Sequence, residues 1–229
     1  MPARYAAFWT VGAGPDVAIT VDVNCHWTSM DEIVAFCDAV KAHDVAWLEE
    51  PIYPSDAWAM HAELRKRVKV PIAAGENEFG LQGFRELIER NSVDIVQADA
   101  SRCGGITEVL RVAELAGRAN LKLAPHSWSD AIAVLANANV VAATPHALTV
   151  EVDQTGNPFI EELLVEPLLI RDGRLSLDRG PGLGIELNWN TVNRLRMPDP
   201  LNVPDGWYSD MIFGQADYKP AGPYVERPH

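Results

Sequence analysis

Between residues 17 and 150, short and almost uniformly apolar runs alternate with stretches whose apolar positions recur every three or four residues. A strand points successive side chains to opposite faces, whereas a helix gathers positions i, i+3, i+4 and i+7 on one, so the alternation predicts repeated strand–helix units. The first run, residues 17–22, follows Gly14-Pro15-Asp16 and leads into Ser29-Met30-Asp31-Glu32, a capping-box pattern with Glu at the third helical position. Ile33, Phe36, Cys37 and Val40 then share one helical face. Residues 45–49 precede a helix expected to start at Ser55-Asp56, and residues 70–76 precede one carrying Phe84, Leu87 and Ile88. Residues 93–99 precede a stripe of Ile106, Val109, Leu110 and Ala113, residues 121–126 precede a helix over 132–141, and residues 147–151 close the series. Apolar runs without a polar face suit a parallel sheet covered by helices.

Each run stops at an ionisable residue: Asp22, Glu49, Glu76, Asp99, His126 and Glu151, at steps of 27, 27, 23, 27 and 25 residues. In a (β/α) barrel the C-terminal ends of the strands surround one mouth, so six groups remote in sequence are brought to one place. The expected fold class is α/β, a TIM-type (β/α) barrel. A complete eightfold barrel takes ~250 residues, and six units are visible, so the barrel is expected to be incomplete by two. Residues 1–16, with Tyr5, Ala6, Phe8 and Trp9, read as a remnant helix and turn, and residues 17–155 as the partial barrel carrying the site. Residues 156–229 read as a loop-rich extension packing back on the barrel, with Gly156-Asn157-Pro158, Arg171-Asp172-Gly173 and Pro181-Gly182-Leu183-Gly184 as its turn signals. Open strand edges with apolar faces favour pairing with another chain, so a homo-oligomer is expected.

Composition narrows the partners. Apolar residues make up 48% of the 229, enough for a sizeable core. Nineteen Lys and Arg against thirty-two Asp and Glu leave a net charge of −13, and the longest basic cluster is Arg65-Lys66-Arg67, so no nucleic-acid footprint is expected. The apolar stretch 131–143 is broken by Asn137 and Asn139 and falls short of the ~20 residues of a membrane span. The opening Met1-Pro2-Ala3-Arg4-Tyr5 has no secretory pattern, and Cys25, Cys37 and Cys103 are odd in number and widely spaced, which argues against a disulfide framework. A cytoplasmic location is expected.

Three carboxylates from consecutive strand ends, Asp22, Glu49 and Glu76, form a plausible site for a hard cation such as Mg²⁺, which takes carboxylates together with water and substrate oxygens. Taken singly, each reads rather as a solvated loop carboxylate; their joint spacing at a 27-residue step is what favours a metal site. Glu50 adjoins Glu49 and is expected on the other side of the strand, with a lesser role. No Cys/His pairs stand at zinc spacing, and His43, His61 and His146 read as surface or helix-end residues. Asp99 and His126 sit at neighbouring strand ends, where a carboxylate fixes the imidazole tautomer and raises its basicity, the arrangement of a general base. Glu151 reads either as an acid hydrogen-bonded to a substrate oxygen or as part of an ion pair. Gly104-Gly105 is better read as a tight turn than as a phosphate cradle, and no GxSxG nucleophile elbow occurs.

Five motifs recur in an order that resembles the enolase superfamily, in particular its mandelate racemase/muconate lactonizing enzyme group. They are Val21-Asp22-Val23-Asn24, Trp47-Leu48-Glu49-Glu50-Pro51, Pro71-Ile72-Ala73-Ala74-Gly75-Glu76-Asn77, residues 97–105 (QADASRCGG) and Ala124-Pro125-His126-Ser127, and the likeness runs over about residues 14–190. The resemblance implies that Asp22, Glu49 and Glu76 bind Mg²⁺, that Asp99 and His126 form the base dyad, and that Glu151 polarises a substrate carboxylate. It also implies the reaction: removal of a proton α to a carboxylate through an ene-diolate, with a small carboxylic acid as substrate. The chain departs from the family in lacking a Lys-x-Lys pair, the nearest candidate, Lys66-Arg67-Val68-Lys69, falling after a helix. An N-terminal capping domain is likewise not expected in it. With a single base visible, dehydration of a sugar acid or hydroxy acid ranks above racemisation or epimerisation of a 2-hydroxy acid, because one His can take the α-proton and later protonate the departing hydroxyl. From a different class, a truncated, non-catalytic barrel fragment acting only in folding or assembly is the competing reading.

Overall fold

The computed structural model describes residues 14, 16–178 and 180–196; of the remnant helix and turn expected over residues 1–16, residues 1–13 and 15 lie outside them, as does the chain beyond residue 196. Five short strands, β1 (Thr20–Asp22), β2 (Trp47–Glu49), β3 (Ile72–Ala74), β4 (Ile95–Val96) and β5 (Lys122–Leu123), pair in sequence order and all in parallel. Between them run α1 (Met30–Val40), α2 (Trp58–Arg67), α3 (Gly80–Glu89) and α4 (Ile106–Arg118), and α5 (Ala131–Ala143) follows β5. This is the helix-covered parallel α/β arrangement that the alternation predicts. Among the described residues the sheet does not close. β1 has only β2 beside it, and the sixth expected run supplies a single parallel bridge from Ala147 to Leu123 instead of a strand. That run leaves the sheet after the Leu148 amide donates to the Leu123 carbonyl at 2.8 Å.

Strand alternation sorts the side chains into two layers. Leu48, Ile72, Ala74, Val96 and Leu123 point to the helices and pack with Ile33, Phe36, Leu64, Phe84, Leu87 and Val109 in the main core. Ala73, Ile95 and Ala124 face the other way and, with Trp47, form a small separate cluster on the inner side of the sheet. Residues in phase with that inner set, two further along each strand, therefore reach the C-terminal mouth on the inner side.

The helices differ from expectation in detail. Ser29 is the N-cap of α1, with extended backbone at φ −110° and ψ 121°, but its side chain makes no capping bond; Asp31 and Glu32 in the first turn still suit the positive end of the helix. α2 begins at Trp58 and not at Ser55-Asp56, because the Ala57 amide first closes a turn onto the Pro54 carbonyl. On α4 the buried stripe is Val109, Val112, Ala113 and Ala116, and Leu110, expected on it, is 38% exposed. α5 is capped by Asp130, whose carboxylate accepts from the Ile132 and Ala133 amides, and is apolar nearly all round, as a helix covered on both sides must be. Its outer side meets Leu164, Leu168, Leu175, Leu177, Ile185 and Leu187. Those residues belong to a segment containing α6 (Pro158–Glu161), the antiparallel hairpin β6 (Ile170–Arg171) and β7 (Arg174–Leu175), and α7 (Trp189–Leu195). The hairpin was read as loop, although Asp172-Gly173, at φ 49° and 69°, is the pair that a two-residue I′ turn favours. No helix among the described residues is long and apolar enough to cross a membrane.

Candidate active site

Asp22 and Glu49 end neighbouring strands in direct register. Glu49 follows Trp47 on the inner side, and the Trp47 indole Nε1 donates to Glu49 Oε2 at 3.0 Å. Glu76 would point outward if β3 simply continued to alternate, since Ala73 faces in and Ala74 out. Gly75 breaks the alternation at φ 125°, a conformation that L side chains rarely adopt, and a Cβ there would meet Phe84 Cε1 at 2.8 Å. The turn brings Glu76 into the mouth, where its Oε2 lies 3.5 Å from His126 Nε2 and its Oε1 3.9 Å from the Arg102 guanidinium. Arg102 also donates to the Glu76 carbonyl and to Asn77 Oδ1.

Burial makes these carboxylates costly to ionise. It raises the Glu49 carboxyl to about 7, helped by the charges of Asp22 and Glu76 and opposed by hydrogen bonds from Trp47 and Gln97. Burial likewise pushes Glu76 up, with His126 opposing and Asp22 and Glu151 adding to the rise. Asp22 lies close enough to act on Glu49 and Glu76, and Glu151 on Glu76 and His126, so five of the six strand-end groups gather at one mouth. The sixth, Asp99, touches His126 directly: His126 Nδ1 donates to Asp99 Oδ2 at 2.9 Å. Burial opposes the Asp99 charge, but hydrogen bonds from His126, Asn137 and Ser101 outweigh it and hold the carboxyl below its ordinary range. Burial also opposes the imidazolium, yet the bond to Asp99 and the charges of Glu76 and Glu151 lift His126 above its usual value. With Nδ1 committed as a donor, Nε2 carries the lone pair toward the mouth. Glu151 Oε2 accepts from the Ser127 amide at 2.7 Å, so it neighbours the imidazole through the backbone.

Several contributors lie outside the sequence expectation. Glu50 is no bystander: it is fully buried at φ 39°, accepts from the Gly75 amide at 2.8 Å and from Cys25 Sγ, and burial raises its carboxyl to about 8. It ties the end of β2 to the glycine that turns Glu76. Asn137 and Ser101 hold Asp99, and Gln97 Oε1 and Ser127 Oγ are buried with no hydrogen-bond partner among the described residues. Gln97 and Ser127 stand inside the quoted motifs, but nothing in local spacing marks them. His61, expected at the surface, is fully buried against Trp58, and burial lowers it to about 4. Gly104 and Gly105, at φ 115° and 92°, form the tight turn into α4.

Among the described residues no group of three or more His, Cys, Asp or Glu side chains is gathered tightly enough to hold a metal ion as it stands. The donor chemistry nevertheless fits a hard divalent cation: Glu49 and Glu76, whose burial raises their protonation, stand with the exposed Asp22 carboxylate, in register with Glu49, and the buried Gln97 Oε1 acceptor.

The open parallel sheet, its acid-lined mouth and the His–Asp pair mark an α/β fold of barrel type, and comparison with known proteins identifies the family. Residues 3–191 match the enolase C-terminal domain-like family, and the chain belongs to it. Among curated relatives, D-galactarolactone cycloisomerase of Agrobacterium fabrum is 34% identical over 195 residues, covering 82% of this chain and 51% of that protein. D-xylonate dehydratase of Haloferax volcanii is 33% identical over 183 residues, covering 80% and 43%. Among solved structures, an enolase from Bradyrhizobium complexed with magnesium and mandelic acid superposes with a TM-score of 0.74 at 32% identity, covering 82% of this chain and 49% of that one. The chain thus spans about half the length of the curated relatives it matches. Its relatives are enolase-superfamily enzymes that include dehydratases and cycloisomerases.

Proposed function

We propose that this chain carries the site of a lyase that removes the proton α to a carboxylate through an ene-diolate and then expels a β-hydroxyl, the dehydration of a sugar acid or hydroxy acid. The observation that supports it most is the His126–Asp99 pair: Nδ1 is tied at 2.9 Å and the buried Nε2 is turned to a mouth of carboxylates. His126 Nε2 takes the α-proton, and Asp99 stabilises the imidazolium so formed. The same Nε2–H then delivers that proton to the departing β-hydroxyl, which leaves as water. Glu151, anchored by the Ser127 amide, is the group that polarises the substrate carboxylate. Asp22, Glu49 and Glu76 would hold a divalent ion, Mg²⁺ by the chemistry of its donors, and the ion would supply Lewis-acid compensation for charge developing on the substrate carboxylate.

Dehydration asks for a single base, and among the described residues His126 supplies it, whereas a 1,1-proton transfer with inversion uses a second base across the substrate. The D-xylonate dehydratase relative points the same way. The test is product formation: with Mg²⁺, D₂O and a panel of aldonic and aldaric acids, the wild-type chain converts its substrate to a 2-keto-3-deoxy acid with solvent deuterium at C3. His126→Asn should lose about 10²- to 10⁴-fold in that rate while still binding Mg²⁺. Dehydration at the wild-type rate in the variant overturns the base assignment, and no dehydration by the wild type of any acid overturns the reaction.

A further inference from the structure

Midway along α5, a helix apolar nearly all round, stands one completely buried amide, Asn137. Burying an amide costs several kcal/mol unless its donors and acceptor are all used, so a polar residue here needs partners. It has three. Asn137 Oδ1 accepts from the Ala100 amide at 2.9 Å, and Nδ2 donates both to Asp99 Oδ1 at 2.9 Å and to the His126 carbonyl at 3.0 Å. The orientation of the amide is not ambiguous, because a backbone N–H can only donate and a carbonyl can only accept.

These bonds reach two different strand ends from a third element. Asp99 Oδ1 also accepts from the Ser101 amide and hydroxyl, both at 2.8 Å, so one carboxylate oxygen is saturated and Oδ2 is left for His126 Nδ1. Ser101 belongs to the same turn as Asp99 and fixes only that side chain. Among the described residues, Asn137 alone grips the carboxylate and the backbone of His126 together.

Resting on the reading of His126 as the base, we propose that Asn137 is a positioning residue for the pair, which sets the distance and plane of the Asp99 carboxylate against the imidazole by holding both at once. Having no exposed surface, it acts through the pair and never touches substrate. Residues that orient a functional group in this way are worth roughly 10- to 100-fold in activity where they support metal-bound imidazoles, and the same lever operates here.

The experiment is proton NMR of the metal-free 229-residue chain labelled with ¹⁵N-histidine. The wild type should show a downfield His126 Nδ1–H signal in slow exchange with water, assigned by its absence from His126→Asn. Asn137→Leu, which keeps the volume and removes all three bonds, and Asn137→Ser, which is smaller and polar, should each lose that signal or speed its solvent exchange about tenfold. His61, whose ring Nδ1 lies 3.1 Å from the Ala57 carbonyl in the buried part of α2, is the internal control and should be unmoved. A His126 signal protected as in the wild type, with the His61 signal retained, overturns the proposal. Loss of both signals in both variants also overturns it, since Asn137 would then hold only the fold, and absence of the signal from the wild type would refute the bond itself. In dehydration the Asn137 variants should lower kcat with KM unchanged. If His126→Asn left dehydration intact, the base assignment would fail while the NMR comparison still judged Asn137.

Discussion

Glu49 and Glu76 owe their raised protonation to burial among like charges, and a divalent cation offsets that cost only while both remain ionisable. Glu49→Gln and Glu76→Gln should therefore each weaken Mg²⁺ binding by about tenfold or more, since each removes a charged ligand from a largely ionic site. Isothermal titration would show it, and unchanged affinity in either variant would sink the metal assignment. Glu50→Gln should cost far less affinity. Its bond from the Gly75 amide needs only an acceptor, which glutamine keeps, and its side chain lies behind the mouth against Cys25.

At the scale of single elements, the turn after β3 decides where a ligand points. Gly75→Ala must place a methyl 2.8 Å from Phe84 Cε1 on a backbone at φ 125°, so either the turn relaxes or the core side of α3 yields. We expect a loss of about 1–3 kcal/mol in denaturant unfolding, by the cost of overpacking and of a strained residue, accompanied by weaker Mg²⁺ binding because Glu76 swings with the turn. A variant as stable as the wild type would mean that Gly75 is not needed for its conformation. Much at this scale was legible in advance. Ile33, Phe36, Cys37 and Val40 face the core of α1 as their spacing requires, and Phe84 and Leu87 do so on α3. Boundaries were not, as at α2, because a turn of Pro54 to Ala57 competes with the helix over the same residues. Leu110 was misplaced because several stripes fit an apolar-rich helix and only its neighbours choose between them.

For the molecule as a whole, two buried groups give stability opposite dependences on pH. His61 falls to about 4 in the fold from an ordinary 6.5, so its contribution is present above 6.5 and lost as pH falls through about 4. Glu50 rises to about 8 from 4.5, so its contribution is complete below 4.5 and lost as pH rises through about 8. The midpoint of denaturant unfolding, measured from pH 4 to 9, should fall less steeply toward acid in His61→Gln and less steeply toward alkali in Glu50→Gln than in the wild type. Slopes that match the wild type in both variants would show that neither group titrates as its burial requires.

The sequence by itself determined the parallel, helix-covered α/β architecture and the six groups at its mouth, because a strand–helix step of about 25 residues and alternation along a strand are local rules that the chain can carry without a partner. Asp22, Glu49, Glu76, Asp99, His126 and Glu151 were all legible for that reason. Only the tertiary structure decided what surrounds them. The bond from Asn137 to Asp99 spans 38 residues and that from Gly75 to Glu50 spans 25, and no periodicity ties either pair. Whether residues 147–151 form a sixth strand is likewise settled by packing, and there they make a single bridge, from Ala147 to Leu123. A hydrogen bond between distant elements depends on where packing brings them, which local pattern does not encode.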